Sequence, residues 1–287
     1  MQRNGKILFV VIAVVAIWLV KFVLRFPSVD INVIGVILSI SSILFGLLAG
    51  FFISQLWTRY TEIRTLQGQR SSAGLLLIEY ANHFYARNPQ FKKDFRKRME
   101  HAAIVDEIIY WDEGYLEDPY YRAIASSFRM VKVQNEKDGV YLEAMMENLD
   151  RYVSSTVQIN ILYKERLFVS EWLIFIILSA IITLSVLLLD VSQILYFMIV
   201  LAFPPIIFLT LSIISDLNTM SWGRELITLE PTQAIFDALG VKRFYLTKDL
   251  PFVSRRIRQY RTEKTLAPAE RKVYKEILDS RTYQQRA

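Results

Sequence analysis

The chain has 287 residues, of which 53% are hydrophobic and 22% charged, and its formal net charge is +6. A soluble domain of this length is seldom so apolar, and here the excess is concentrated in a few long runs, which argues against a soluble protein. The chain contains no cysteine, which excludes disulfides, thiolate metal sites and cysteine nucleophiles.

Four apolar runs predict four membrane-spanning helices. The first covers residues 7–24, with Lys21 near its end, and the others cover residues 31–57, 172–189 and 191–215. Each approaches or exceeds the roughly 20 residues needed to cross about 30 Å of hydrocarbon. A signal peptide is the alternative for the first run, but no small-residue cleavage site follows it. We therefore expect an all-α polytopic membrane protein.

The second span is predicted to continue as one helix to about residue 87, where Asn88-Pro89 ends it. Further helices are expected over residues 91–110, from Asp118-Pro119 to about residue 133, and over residues 140–166. The sequence Lys137-Asp138-Gly139 is typical of a turn between the last two. After the fourth span we expect a short strand at residues 225–230 and a short helix from Glu230-Pro231 to Gly240.

These elements predict four regions along the chain. Residues 1–57 form spans one and two, residues 58–167 a cytoplasmic helical bundle, residues 168–215 spans three and four, and residues 216–287 a C-terminal segment with a basic tail. Basic residues near the span ends lie mostly on one side of the membrane. The positive-inside rule therefore places both termini and the bundle in the cytoplasm.

The sequence offers little that could carry enzyme chemistry, and we expect no enzyme, no cofactor and no metal. His83 and His101 lie on different predicted helices and have no metal-binding spacing. The acidic stretch around residues 106–118 lacks the alternating ligands and central glycine of an EF-hand loop. No Asp, Glu, His or Arg lies inside the four spans, which argues against an ion-coupled transporter.

The C-terminal tail carries a cluster of arginines that is a candidate site for anionic lipid headgroups: Arg255, Arg256, Arg258 and Arg261. Such a cluster attracts an anionic membrane by about 1 kcal/mol per basic residue. A solvated helix face is the alternative. Nucleic-acid binding is not expected, because no recognised motif accompanies the charge.

The second span resembles the bestrophin ion-channel family, in which an apolar helix with a Gly-Phe pair continues into a Thr-Arg-Trp-Trp element and a polar segment. The residues that carry the resemblance are Gly50, Phe51, Thr58, Arg59, Tyr60, Glu62 and Arg64. The chain is also similar to bacterial bestrophin-like proteins with a domain of unknown function. They share two spans, a helical insert, two more spans, and a glycine, short strand and proline, here Gly223 and Pro231.

The resemblance implies a pentamer whose pore is lined by the second span of each subunit. An ungapped match places Ile43, Leu47 and Phe51 on a narrow hydrophobic neck, with Ser39 and Gln55 flanking it. Rings of apolar side chains can gate a pore by dewetting. The alternative is that these three side chains face lipid or pack against a neighbouring helix. The acidic cluster of calcium-regulated relatives is not matched, so no calcium site is carried over.

We therefore expect a homo-oligomeric ion channel in a bacterial plasma membrane, with lipids and inorganic ions as its partners. Anions are weakly favoured, because the tail is basic and phenylalanine edges are electropositive. The alternative is a non-conducting scaffold or signalling protein whose cytoplasmic helices bind a partner or anionic lipid.

Overall fold

The computed structural model describes residues 31–109, 119–189, 192–219, 230–245, 260–262 and 264. The first predicted span and most of the basic tail lie outside these residues. Within them the fold is almost entirely helical. The elements in chain order are α1 (Ile31–Tyr85), α2 (Pro89–Ile109), α3 (Pro119–Ser127), a 3-10 turn (Phe128–Met130), α4 (Glu136–Lys164), α5 (Val169–Leu188), α6 (Gln193–Asn218), α7 (Glu230–Ala238), β1 (Arg243–Phe244) and β2 (Tyr260–Arg261).

Three of these helices are long and apolar enough to cross a membrane: α1, α5 and α6. They coincide with predicted spans two, three and four. The all-α membrane class is therefore confirmed. The fourth candidate, residues 7–24, cannot be compared because it lies outside the described residues.

Helix α1 is a single unbroken helix of 55 residues, as predicted from residue 31. It contains no proline, so every backbone N–H remains available for the helical ladder. At 1.5 Å per residue it is about 83 Å long. Only its first half is apolar enough for lipid.

The chain divides into two compact units, and α1 contributes to both. Unit 1 comprises Met1–Tyr60 and Arg166–Trp222, and unit 2 comprises Thr61–Glu165 and Gly223–Ala287. In unit 1 the buried core combines side chains of α1 (Phe45, Ala49, Phe52 and Leu56), α5 (Phe175 and Ile182) and α6 (Ile207, Ile214 and Leu217).

Unit 2 is built around fully buried aromatic side chains. Phe84 of α1 meets Phe91 of α2 edge to face at 6.3 Å between ring centroids, and Phe91 lies 5.4 Å from Phe95. Phe95 stacks on Phe128 of the 3-10 turn at 6.3 Å. Two-residue strands β1 and β2 pair in parallel and complete this unit.

The predicted turn at Lys137-Asp138-Gly139 is wrong, because these residues form the first turn of α4. The helix begins earlier because the Asn135 side chain caps it, accepting the backbone N–H of Asp138 at 2.8 Å. Helix α3 also ends before residue 133, closing as a 3-10 turn at Met130. The short helix after the fourth span is confirmed as α7, and Gly240 follows it with φ of 65°. The strand expected over residues 225–230 falls mainly outside the described residues, and Glu230 already belongs to α7.

Candidate functional site

The predicted neck residues lie on the outward side of α1. Ile43, Leu47 and Phe51 are 63%, 67% and 64% exposed, the highest values among the large apolar side chains of this helix that the structure describes. The predicted flanking residues Ser39 and Gln55 are exposed as well. The structure thus brings all five residues to the exposed part of a single helix, where Phe51 meets Phe52 of the unit 1 core edge to face at 5.4 Å between ring centroids.

The opposite side of α1 is fixed by aromatic packing. Phe45 and Phe52 meet Phe175 of α5 edge to face, with ring centroids 5.9 and 5.4 Å apart. Edge-to-face pairs of this kind contribute about 0.5–1.5 kcal/mol beyond the area they bury. The anchored face therefore determines that the three spaced side chains point outward.

No contact within the described residues explains why glycine stands at positions 46 and 50. A Cβ built at either residue would meet nothing within 4 Å. Small residues at this spacing usually allow close approach of another helix. Within the described residues, nothing lies against either glycine.

The Thr-Arg-Tyr element follows, and its three residues have different environments. The Thr58 hydroxyl donates to the Ser54 carbonyl at 3.0 Å, a bond along its own helix. Tyr60 is 7% exposed and stacks on Trp57 at 5.5 Å between ring centroids. Arg59 is 8% exposed and is the one charged side chain of α1 between Ile31 and Thr61.

Arg59 links α1 to the C-terminal end of α6 by hydrogen bonds. Its Nη2 donates to the backbone carbonyl of Asn218 at 2.9 Å, with the Leu217 carbonyl at 3.5 Å. These carbonyls lie in the last turn of α6, where backbone acceptors are left over and a cation also suits the helix dipole. The Asn218 side chain in turn accepts the backbone N–H of Leu167, at 2.9 Å, just before α5. Asn218 was missed by sequence reasoning, since nothing in its local pattern marks it.

The remaining residues of the family motif do not gather at this junction. Glu62 and Arg64 are exposed on α1. The Pro231 carbonyl accepts a hydrogen bond from the Ser71 hydroxyl within unit 2. Gly223 lies outside the described residues.

The candidate lipid-binding arginines are placed only in part. Arg255, Arg256 and Arg258 lie outside the described residues. The Arg261 guanidinium pairs with the Glu100 carboxylate at 2.5 Å and donates to the Lys242 carbonyl at 3.2 Å. Much of its hydrogen-bonding capacity is therefore used inside unit 2.

Two buried carboxylates in unit 2 also escaped the sequence analysis. Asp106 accepts hydrogen bonds from the Tyr121 hydroxyl at 2.8 Å and from the Tyr152 hydroxyl, with Arg70 at 3.8 Å. The Arg70 guanidinium also donates to Thr232 of α7 at 3.2 Å. The sequence placed Asp106 in an acidic stretch but gave no sign that it is buried.

The second carboxylate, Asp138, is fully buried at the start of α4. His83 Nε2 lies 2.9 Å from its Oδ1, and Arg87 of the α1–α2 connection donates to both oxygens at 2.9 and 3.0 Å. The hydrogen bonds from His83 and then Arg87 hold the pKa of Asp138 well below its usual range. The cluster joins the end of α1 to α4. The described residues contain no group of three or more His, Cys, Asp or Glu side chains that could hold a metal ion.

The family model of the bestrophin-like domain matches residues 7–219. This range includes the neck residues, the Thr-Arg-Tyr element and the Arg59–Asn218 junction. Neither a curated protein nor a solved structure matches the chain. Because the match covers well over half of the sequence, the chain belongs to the bestrophin-like family.

Proposed function

We propose that the protein is an oligomeric ion channel whose pore is formed by α1 helices of several copies, with Ile43, Leu47 and Phe51 as its hydrophobic neck. The observation that carries this proposal is the outward position of these side chains on a helix whose other face is anchored. The described part of a single chain leaves them exposed. Copies arranged around an axis would form three apolar rings about 6 Å apart along the helix.

A neck of this kind controls ions without a blocking charge. Apolar rings disfavour the water that a permeating ion needs, so a narrow ring is closed and a slightly wider one conducts. Replacing the three side chains by alanine widens every ring. We therefore expect the Ile43→Ala, Leu47→Ala, Phe51→Ala protein to conduct ions faster than the wild type.

The test is ion efflux from proteoliposomes. The triple variant should leak ions clearly faster than wild type. The matched control is Leu173→Ala, Ile177→Ala, Leu184→Ala, which removes three exposed apolar side chains of α5 and should leave the wild-type rate unchanged. If vesicles with the neck variant leak no more than empty vesicles, the pore assignment is wrong.

Several finer features belong to the same proposal. We place the protein in a bacterial plasma membrane with both termini in the cytoplasm, because basic residues near the span ends favour that side. The ring is a pentamer by resemblance to the bestrophins. No catalytic step is part of the proposed function.

Ion selectivity needs separate evidence. The expected preference for anions rested on the basic tail and on phenylalanine edges. Arg261, the one described arginine of the tail cluster, is already paired with Glu100. The charged side chains of α1 are therefore a better guide to the ion.

A scaffold or signalling protein is the second candidate function, and one surface of unit 2 favours it. Lys93 and Lys97 are exposed one turn apart on α2, and the described residues provide no ion pair for either. Like charges at this spacing destabilise a helix slightly, so an anionic partner or lipid would be favoured there. Such a protein needs no pore, and a stable monomer would support it over the channel.

A further inference from the structure

The side of α1 on which the neck residues lie continues along the helix into a polar segment. Eleven residues make three helical turns and about 20°, so a residue and its neighbour eleven positions later point in nearly the same direction. Eleven positions after Ile43, Leu47 and Phe51 stand Ser54, Thr58 and Glu62. The apolar trio is therefore repeated about 17 Å further along α1 as a polar trio.

All three residues of this polar trio are exposed, like the neck residues. Ser54 and Thr58 are uncharged. Glu62 is acidic, and the described residues provide no ion pair for its carboxylate. The positions three and four residues away on either side offer only one cation, Arg59, which is buried against the α6 carbonyls.

The sign of the charge on this side of α1 is therefore negative. Between Ile31 and Glu62 the only formally charged residue is the buried Arg59. The next basic residue, Arg64, is exposed, but it lies about 100° around the helix from the mean direction of the three neck residues, compared with about 60° for Glu62. Glu62 is thus the first exposed charge after the neck on the side of α1 where the neck residues lie.

We propose that Glu62 is the selectivity-determining residue of the channel and that the permeating ions are cations. This inference rests on the proposed pore function, because the carboxylates form a ring only if several copies of α1 surround one path. Rings of Asp or Glu are a common device of cation-selective pores. They raise the local concentration of cations and repel anions before either reaches the neck.

The effect of such a ring depends on ionic strength. The Debye length is about 30 Å at 0.01 M salt and about 10 Å at 0.1 M. A ring of carboxylates therefore acts across the whole path in dilute salt and only locally in concentrated salt. Selectivity should be strongest in dilute salt and weaken as salt is added.

The test measures the permeability ratio of K⁺ to Cl⁻ from reversal potentials in a KCl gradient. The parent is the Ile43→Ala, Leu47→Ala, Phe51→Ala protein, whose wider neck gives a measurable current. Adding Glu62→Gln should lower the ratio about tenfold in dilute KCl, within the range by which charged clefts enrich counter-ions. Adding Glu62→Lys should move the ratio further towards Cl⁻.

The matched control is Glu143→Gln on α4, which removes one exposed carboxylate elsewhere and should leave the ratio unchanged. If the parent conducts but neither Glu62→Gln nor Glu62→Lys changes the permeability ratio of K⁺ to Cl⁻, the role of Glu62 is wrong and the proposed pore is unaffected. A parent that conducts no ions overturns the proposed function itself. An equal change in the Glu143→Gln protein would show a general surface-charge effect and also overturn the inference.

Discussion

At the scale of single residues, Arg59 shows how the family motif works in this chain. Its guanidinium is buried and donates to carbonyls at the end of α6, while Arg64, five residues later, is exposed. The two arginines have the same chemistry and lie on the same helix. Of the two, only Arg59 donates to buried backbone carbonyls, and we therefore regard it as a structural residue of unit 1.

We therefore predict that Arg59→Ala destabilises the protein by about 2–3 kcal/mol, since a hydrogen bond from a charged donor contributes about 1.5–3 kcal/mol and buried carbonyls would lose their donor. Arg64→Ala should change stability by less than about 0.5 kcal/mol. Thermal or denaturant unfolding in detergent measures both. Equal losses for the two variants would contradict the role assigned to Arg59.

Residue roles were the least predictable part of this molecule. The spacing of Ile43, Leu47 and Phe51 indicated one helix face, and the structure places that face outward. The burial of Asp106 and Asp138 could not be foreseen, because both lie in charged segments and several of their partners are 36 to 55 residues away along the chain. Local sequence patterns carry no information about such long-range pairing.

At the scale of secondary-structure elements, sequence patterns were more informative. Long apolar runs predicted α1, α5 and α6, because a membrane helix needs little beyond length and hydropathy, and the absence of proline predicted that α1 is unbroken. The start of α4 was missed because a glycine and two charged residues resemble a turn, whereas the Asn135 cap and the burial of Asp138 make them helical. Capping and burial outweighed the low helix propensity of Gly139.

Gly74 marks a close approach between elements of unit 2. A Cβ built there would lie 3.0 Å from Ile235 of α7 and 3.0 Å from the Tyr152 ring of α4. Both neighbours are almost fully buried, and the Tyr152 hydroxyl is bonded to Asp106, so neither side chain can easily move. Only glycine allows α1 to pack this closely against α4 and α7.

We predict that Gly74→Ala destabilises unit 2 by about 1–2 kcal/mol, because overpacking costs about 1–3 kcal/mol and the gain in helix propensity offsets only part of it. Gly68→Ala is the matched control, since a Cβ there meets nothing within 4 Å. It should be neutral or stabilising by up to about 1 kcal/mol. Unfolding midpoints of the two variants measure these changes in stability. A stabilised Gly74→Ala protein would show that Gly74 is not tightly packed against Ile235 and Tyr152.

At the scale of the whole molecule, the exposed surface of α1 is the basis of the proposal that several copies of the chain assemble. Its most exposed large apolar side chains are Ile43, Leu47 and Phe51, and Gly46 and Gly50 lie between them on the same helix. No other part of the described chain covers these side chains or these glycines. Lipid alone could cover the apolar side chains, but the same side of the helix goes on to Ser54, Thr58 and Glu62, which favour water. A surface that changes from apolar to acidic in this way suits an axis shared by several copies better than a boundary with lipid.

We therefore predict a single oligomeric species in mild detergent, with five chains of 33.5 kDa if the resemblance to bestrophins extends to subunit number. Native mass spectrometry measures this directly. The Ile43→Ala, Leu47→Ala, Phe51→Ala protein should keep the same oligomeric state, because in the proposed channel these side chains face the path and do not hold the copies together. An oligomeric state unchanged by the triple substitution, together with faster ion efflux, would separate a widened pore from a disassembled ring. A stable wild-type monomer would contradict the channel proposal, since a single α1 cannot surround an ion path. The scaffold or signalling function would then be favoured.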